Sequence, residues 1–231
     1  TDKLKEQVSE NYTINKDKIE VLKFPPPITN LNKNDDVEID SNVLQIIKKR
    51  NYFLYPAQFW KHKNHSYIIN ASHLLKKNNE LKFKFVFTGY DKGNLNNIKK
   101  QINDLELKNE FLILDYVSNF ELKLLYQNCS AVIVPTLVAP HTFPLYEAFY
   151  FRKPILYNSH ILDPEFKRNV IGLNVDDIHD LRTKIKKLKD VSYTEELVNY
   201  NFKCFNDYFN EDIILDKLNK IFSSSLGYKW N

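Results

Sequence analysis

Apolar residues along this chain come in two rhythms, and the two take turns. Short runs with the look of strands recur at Tyr52 to Tyr55, Phe83 to Phe87, Phe111 to Leu114, Ala131 to Val134, Pro154 to Tyr157 and Ile171 to Val175. Between them, apolar positions fall at helical spacing: Leu95, Ile98, Ile102 and Leu105 share one face, and Ile178, Leu181, Ile185 and Leu188 another. A run such as Ala131-Val132-Ile133-Val134 has no polar alternation, so both faces of that strand are covered. Strand and helix in alternation predict a doubly wound, Rossmann-like α/β fold, a parallel sheet flanked by helices.

The ends of the chain follow other patterns. Residues 1–18 are polar and read as a linker or the remnant of an N-terminal domain, and Ile19 to Phe24 alternates like a short strand before Pro25-Pro26-Pro27 stops it. The Asn- and Asp-rich stretch from Ile28 to Asp40 reads as loop, its Asp35-Asp36 pair as solvated. Residues 19–192 then form the sheet-bearing domain. Residues 193–231 carry Val198, Phe202, Phe205 and Phe209, followed by Ile214, Leu218 and Ile221, which predicts one or two C-terminal helices.

Composition narrows the function. The net charge of +4 arises from 33 basic and 29 acidic residues mixed through one another, which leaves no electrostatic stripe for nucleic acid. A peripheral attraction to anionic membrane is compatible with the lysine content, yet no basic amphipathic cluster demands it. No run of eighteen apolar residues exists, and Cys129 and Cys204 fall in separate helical stretches, so reduced thiols in a cytoplasmic compartment are expected. A chain that starts at Thr1 instead of methionine is expected to lack an N-terminal portion.

In doubly wound sheets ligands bind beyond the carboxyl ends of the strands, so the strand-to-helix loops carry the candidate chemistry. In the first, Tyr55 to His65, Lys61 and Lys63 precede a helix where an anion would be welcome, although solvated lysines are the plainer reading. The second, Phe87 to Asn94, holds two of the chain's four glycines, which suits either a tight turn or close approach of a ligand. No Gly-x-Gly-x-x-Gly is present, which disfavours a nicotinamide or flavin enzyme. In the third, Ser118 and Glu121 have the spacing of a capping box. In the fourth, Pro144 opens an apolar helix on which Glu147 needs a partner, either in a core ion pair or in the vicinal hydroxyls of a ribose. His73, His160 and His179 lack companions for a metal, and Asp176-Asp177 read as helix caps before a metal pair.

Taken in order, Tyr-Pro-Ala-Gln-Phe-Trp-x-His-Lys-Asn-His, Thr-Gly-x-Asp-Lys-Gly-Asn, Tyr-Val-Ser-x-x-Glu-Leu-x-x-Leu-Tyr and Pro-Thr-x-x-x-Pro-x-x-x-Pro-Leu-x-Glu-Ala-Phe-x-x-x-Lys-Pro-Ile resemble the C-terminal domain of family 4 glycosyltransferases (glycosyl transferases group 1). The resemblance spans about residues 19–190 and implies one half of a GT-B fold. It implies a retaining transfer of sugar from a nucleotide-diphosphate sugar to a glycan or lipid-linked acceptor, with no metal or other cofactor. The acceptor would be held through a missing N-terminal domain, at the cytoplasmic or inner membrane face.

By the resemblance Lys63 is the diphosphate-binding lysine and the residue that aids departure of the diphosphate. Glu147 matches the second glutamate of the family's Glu-(seven residues)-Glu motif and holds the donor ribose. Gly89 lies in the turn beside the donor, Tyr116 and Val117 where backbone meets the base, and Thr142, Phe143 and Pro144 in the loop facing phosphates and sugar. Gln58 stands where many members have a phosphate-binding arginine, Ala139 where many have the first glutamate, and Arg152 in place of a common glycine. These changes imply altered donor recognition, or alternatively a degenerate module that binds a nucleotide or partner without turnover.

Overall fold

The computed structural model describes residues 2–23, 25–27, 38–138 and 143–226. Six strands form one parallel sheet: β1 (Tyr52–Pro56), β2 (Lys84–Thr88), β3 (Phe111–Leu114), β4 (Ala131–Val134), β5 (Ile155–Asn158) and β6 (Ile171–Leu173). Their spatial order is β3-β2-β1-β4-β5-β6. Each predicted strand from Tyr52 onward is present, with ends shifted by no more than two residues. All four residues of β4 and of β5 are buried, as their unbroken apolar runs require when helices cover both faces.

The helices between and around the strands are α1 (Asp2–Tyr12), α2 (Ser41–Lys49), α3 (His65–Lys77), α4 (Leu95–Asp104), α5 (Asn119–Asn128), α6 (Phe143–Tyr150), α7 (Asp180–Lys187), α8 (Val191–Tyr208) and α9 (Glu211–Leu226). Helix α5 opens with the expected capping box: Ser118 Oγ accepts from the Glu121 N–H at 3.2 Å while Glu121 Oε2 accepts from the Ser118 N–H at 2.8 Å. The other Glu121 oxygen accepts from the Asp40 N–H at 2.8 Å, which ties the start of α2 to α5.

The N-terminal stretch departs from its expected form. Residues 2–12, within the stretch expected to be a linker or the remnant of an N-terminal domain, are helical, and the Lys3 ammonium donates to the His160 carbonyl at 3.3 Å. Residues 19–23 join no strand; Phe24, the end of that predicted strand, lies outside the described residues. Lys23 instead pairs with Glu165 at 2.5 Å, its ammonium 3.8 Å from the centre of the Tyr208 ring. Lys23 thus lies against the end of α8.

Two chain directions leave the sheet. From β1 the chain winds outward through β2 to β3, then returns by way of α5 to lay β4 on the other side of β1. The strand order reverses between β1 and β4, and at such a reversal the loops diverge and leave a crevice at the carboxyl ends. Lys63 follows the first of these strands, and Glu147 lies on α6, the helix that follows the second.

Candidate active site

The loops after β1 and β4 are laced together by groups the strands supply. Tyr55, the last residue but one of β1, is buried, and its hydroxyl donates to the Lys63 carbonyl at 2.7 Å. The same oxygen lies 2.7 Å from Thr136 Oγ1, and since its own proton is committed to Lys63, Thr136 is the donor there. The Leu137 N–H donates to the His62 carbonyl at 2.8 Å, and the Asn64 amide to the Pro135 carbonyl at 3.3 Å. Burial holds the Tyr55 phenol well above its ordinary range, so it stays a neutral donor.

Above this lacing opens a cleft of about 320 Å³ lined by Tyr55 to Gln58, Trp60, His62, Lys63, Val134, Thr136, Phe143 and Pro144. Lys63 is half-buried and its ammonium pairs with no carboxylate among the described residues. Desolvation lowers its pKa. An uncompensated, partly desolvated cation in a cleft favours an anion there. His62 is pushed down too, by burial and then by Lys63, which keeps the imidazole neutral beside that cation. His65, at the first turn of α3, packs between Tyr55, Phe59 and Phe87 with ring centres 4.7, 5.1 and 5.0 Å away. Burial, with Lys63 adding to it, holds His65 down to about 3, so its ring is neutral beside the lysine.

Glu147 follows Phe143 and Pro144 by one helical turn on α6 and lies behind them, outside the lining of the cleft. It is buried, and Tyr126 on α5 donates to its Oε2 at 2.5 Å. Its Oε1 accepts from no described residue. Burial raises the carboxyl to about 7, with the Tyr126 bond pulling the other way. A carboxyl poised there has one oxygen committed to a phenol and one left for another donor.

The remaining candidates divide. Gln58, Lys63, Phe143 and Pro144 line the cleft, and Gln58 Oε1 accepts from the Trp60 indole at 3.0 Å. Gly89 does not line it. A side chain there would meet the Ala57 carbonyl at 2.6 Å, so its role is to let the loop after β2 press against the loop after β1. Tyr116 is 62% exposed and stacks on Tyr90 with ring centres 5.2 Å apart, while Val117 packs against the core; neither borders the cleft. Thr142 and Ala139 lie outside the described residues. Arg152 has φ of 51°, in the left-handed region at the end of α6, where glycine carries no steric cost; its guanidinium covers the Phe202 ring at 4.1 Å.

Asp176 pairs with His160 at 3.2 Å and Asp177 accepts from the His179 N–H at 2.9 Å. Among the described residues no group of three or more His, Cys, Asp or Glu side chains could hold a metal ion. Cys129 and Cys204 are both free thiols, and burial pushes Cys129 up to about 12. No described helix is long and apolar enough to cross a membrane.

Sequence reading passed over Tyr55, Thr136 and Tyr126. The signal was present for the tyrosines: a phenol inside an otherwise apolar strand or helix face must find a partner when buried.

A cleft at the reversal point of a parallel sheet, holding an unpaired lysine, is a fold-level clue that comparison with known proteins sharpens. The family model described as Glycosyl transferases group 1 matches residues 36–200, more than half of the chain. The chain belongs to the glycosyl transferases group 1. Within 190 aligned residues it is 26% identical to the O-antigen chain mannosyltransferase RfbU of Salmonella typhimurium, covering 81% of this chain and 49% of that protein. The chain thus spans about half the length of the curated relative it matches. A glycosyltransferase from Rickettsia africae superposes with a TM-score of 0.75 at 17% identity, over 96% of this chain and 61% of that one. Anabaena HepE, solved in complex with UDP and glucose, superposes with a TM-score of 0.66 at 15% identity, over 87% and 55%. These structures share the fold of this glycosyl transferase group 1 chain.

Proposed function

We propose that this chain is the donor-binding half of a retaining GT-B glycosyltransferase of family 4, which binds a nucleotide-diphosphate sugar in the cleft between the loops after β1 and β4. The observation that carries this reading is the half-buried Lys63 ammonium, which lines the cleft without a carboxylate partner among the described residues. A diphosphate supplies the missing charge, and its negative charge grows as the sugar departs, so Lys63 acts more strongly in the transition state than in the ground state. Glu147 takes the ribose, Oε1 accepting from its hydroxyls while Tyr126 fixes Oε2.

In the transfer, an acceptor hydroxyl oxygen bonds to the anomeric carbon on the face the diphosphate leaves. The carbon–oxygen bond to the diphosphate breaks, its electron pair stays with the diphosphate, and the hydroxyl proton passes to a diphosphate oxygen. No metal is needed for that balance. A relative that is a mannosyltransferase and a neighbour solved with UDP and glucose support a nucleotide sugar as the donor. A glycan or lipid-linked acceptor would be held largely by a second domain, since the chain spans about half of its relative, at the cytoplasmic face of a membrane.

Calorimetric titration with UDP-glucose, GDP-mannose and ADP-glucose tests this. One of them is expected to bind, and Lys63→Ala to weaken it by about tenfold or more, the scale of a charge-assisted hydrogen bond; no binding by any of the three would end the reading. A second reading, a non-catalytic nucleotide-binding module, is favoured by neutral Gln58, whose Oε1 is held by the Trp60 indole at 3.0 Å in place of an added cation. Sugar release by the full-length enzyme, lost in Glu147→Ala, decides against it.

A further inference from the structure

Beside the cleft just described lies a second, of about 510 Å³, lined by Trp60, Lys61, His62, Lys92, Gly93, Asn94, Asn97 and Leu137. The two share Trp60 and His62, whose rings stack with centres 6.0 Å apart and planes inclined by 28°. Lys61, Lys92, Asn94 and Asn97 belong to the second cleft alone. Its lining is that of a saccharide site. The Trp60 indole, 42% exposed, offers a flat apolar face, and the Asn94 and Asn97 carboxamides, joined by an Asn97 Nδ2 to Asn94 Oδ1 bond at 3.2 Å, line the same cleft with donor and acceptor capacity left for hydroxyls.

Its charge is one-sided. Lys61 and Lys92 have no carboxylate partner among the described residues; the Lys92 ammonium lies 5.9 Å from the Trp60 ring centre. The neighbouring carboxylate, Asp91, is outside the cleft's lining, and its Oδ1 accepts from the Gly93, Asn94 and Leu95 N–H groups at 2.8, 3.2 and 3.1 Å. Among the described residues no carboxylate lines the cleft, and the pKa of the stacked His62 is lowered, by burial and then by Lys63. A neutral glycan would leave both ammonium groups idle; an acidic one would meet them.

We propose that this second cleft docks the sugar acceptor, and that the acceptor segment it takes is an acidic oligosaccharide. The assignment rests on the donor reading of the first cleft. Trp60 and His62 line both clefts, so the two adjoin there and an acceptor in the second lies next to a donor held over Lys63 in the first.

The test titrates the 231-residue chain with trigalacturonic acid and with neutral maltotriose, following tryptophan emission, alongside UDP-glucose, GDP-mannose and ADP-glucose. Trigalacturonic acid is expected to bind about tenfold or more tightly than maltotriose and to alter the emission, with the change lost in Trp60→Phe. The double variant Lys61→Ala/Lys92→Ala, exposed at both sites, should lose about tenfold of that affinity and keep the parent's sugar-nucleotide affinity. Equal binding of the two trisaccharides, unchanged trigalacturonate affinity in the double variant, or no binding of either beside intact sugar-nucleotide binding would overturn the acceptor assignment. Loss of sugar-nucleotide binding by the parent chain, with trigalacturonate still bound, would instead remove the donor reading on which it rests.

Discussion

The Tyr126 hydroxyl and the Glu147 carboxylate meet at 2.5 Å in a buried contact between α5 and α6, and the phenol is the only described donor to that carboxylate. Tyr126→Phe therefore leaves a buried carboxyl with no partner. It should cost about 1–3 kcal/mol of stability at neutral pH, the usual penalty for an unsatisfied buried group. Denaturant unfolding at neutral pH measures it, and a loss within error of zero would mean the bond contributes nothing.

The same pair sets a pH dependence. Folding raises Glu147 to about 7, against about 4.3 in an unfolded chain. Its contribution to stability is therefore fully present below the unfolded value and is lost as pH rises through about 7. Glu147→Gln should flatten the stability profile across that window, and unfolding series on the two proteins compare them.

Sugar-nucleotide affinity should run in the opposite sense, because ribose hydroxyls donate to the ionised form. Binding of a sugar nucleotide, whose diphosphate diester does not titrate near neutrality, is expected to tighten as pH rises through about 7 in the parent chain. In Glu147→Gln it should be weaker and level with pH. Tyr126→Phe, which removes the bond that lowers the carboxyl, should move the midpoint upward.

Tyr55→Phe probes the lacing beneath the cleft. The variant keeps the ring packed against His65 and deletes the donor to the Lys63 carbonyl and the acceptor for Thr136. Stability should fall by about 1–3 kcal/mol, and sugar-nucleotide affinity should fall with it, because Lys63 loses its anchor. Unfolding and calorimetry on one preparation separate the two losses.

Gly89→Ala places a methyl group 2.6 Å from the Ala57 carbonyl, a backbone atom that cannot swing aside. Overpacking of that kind costs about 1–3 kcal/mol. The displaced loop carries Gln58, so weaker sugar-nucleotide binding should accompany the lost stability.

Much of this was legible in the sequence because parallel strands covered on both faces have no room for polar residues. Ala131 to Val134 announces itself, and the six strands place the loops that line the cleft. The strand pattern marked the loops after β1 and β4, and the family resemblance picked Lys63, Gln58, Phe143 and Pro144 from that neighbourhood. Gly89 was legible as a special position, though its neighbour is backbone of the adjacent loop and not an open cleft. Long-range partners left no local trace: nothing near Glu147 in sequence points to Tyr126, and nothing near Lys23 points to Glu165 and Tyr208. The second cleft was hidden for the same reason, since Trp60 and Asn97 meet only once β1 and β2 are paired.

The central claim is that Lys63 and Glu147 hold the two ends of one donor molecule. A crystal structure with whichever of UDP-glucose, GDP-mannose or ADP-glucose binds most tightly tests it directly. The account predicts the Lys63 ammonium on a diphosphate oxygen and Glu147 Oε1 on a ribose hydroxyl of that same molecule, with Tyr126 still on Oε2. A nucleotide bound elsewhere, or one touching Lys63 while Glu147 contacts only Tyr126, would contradict it.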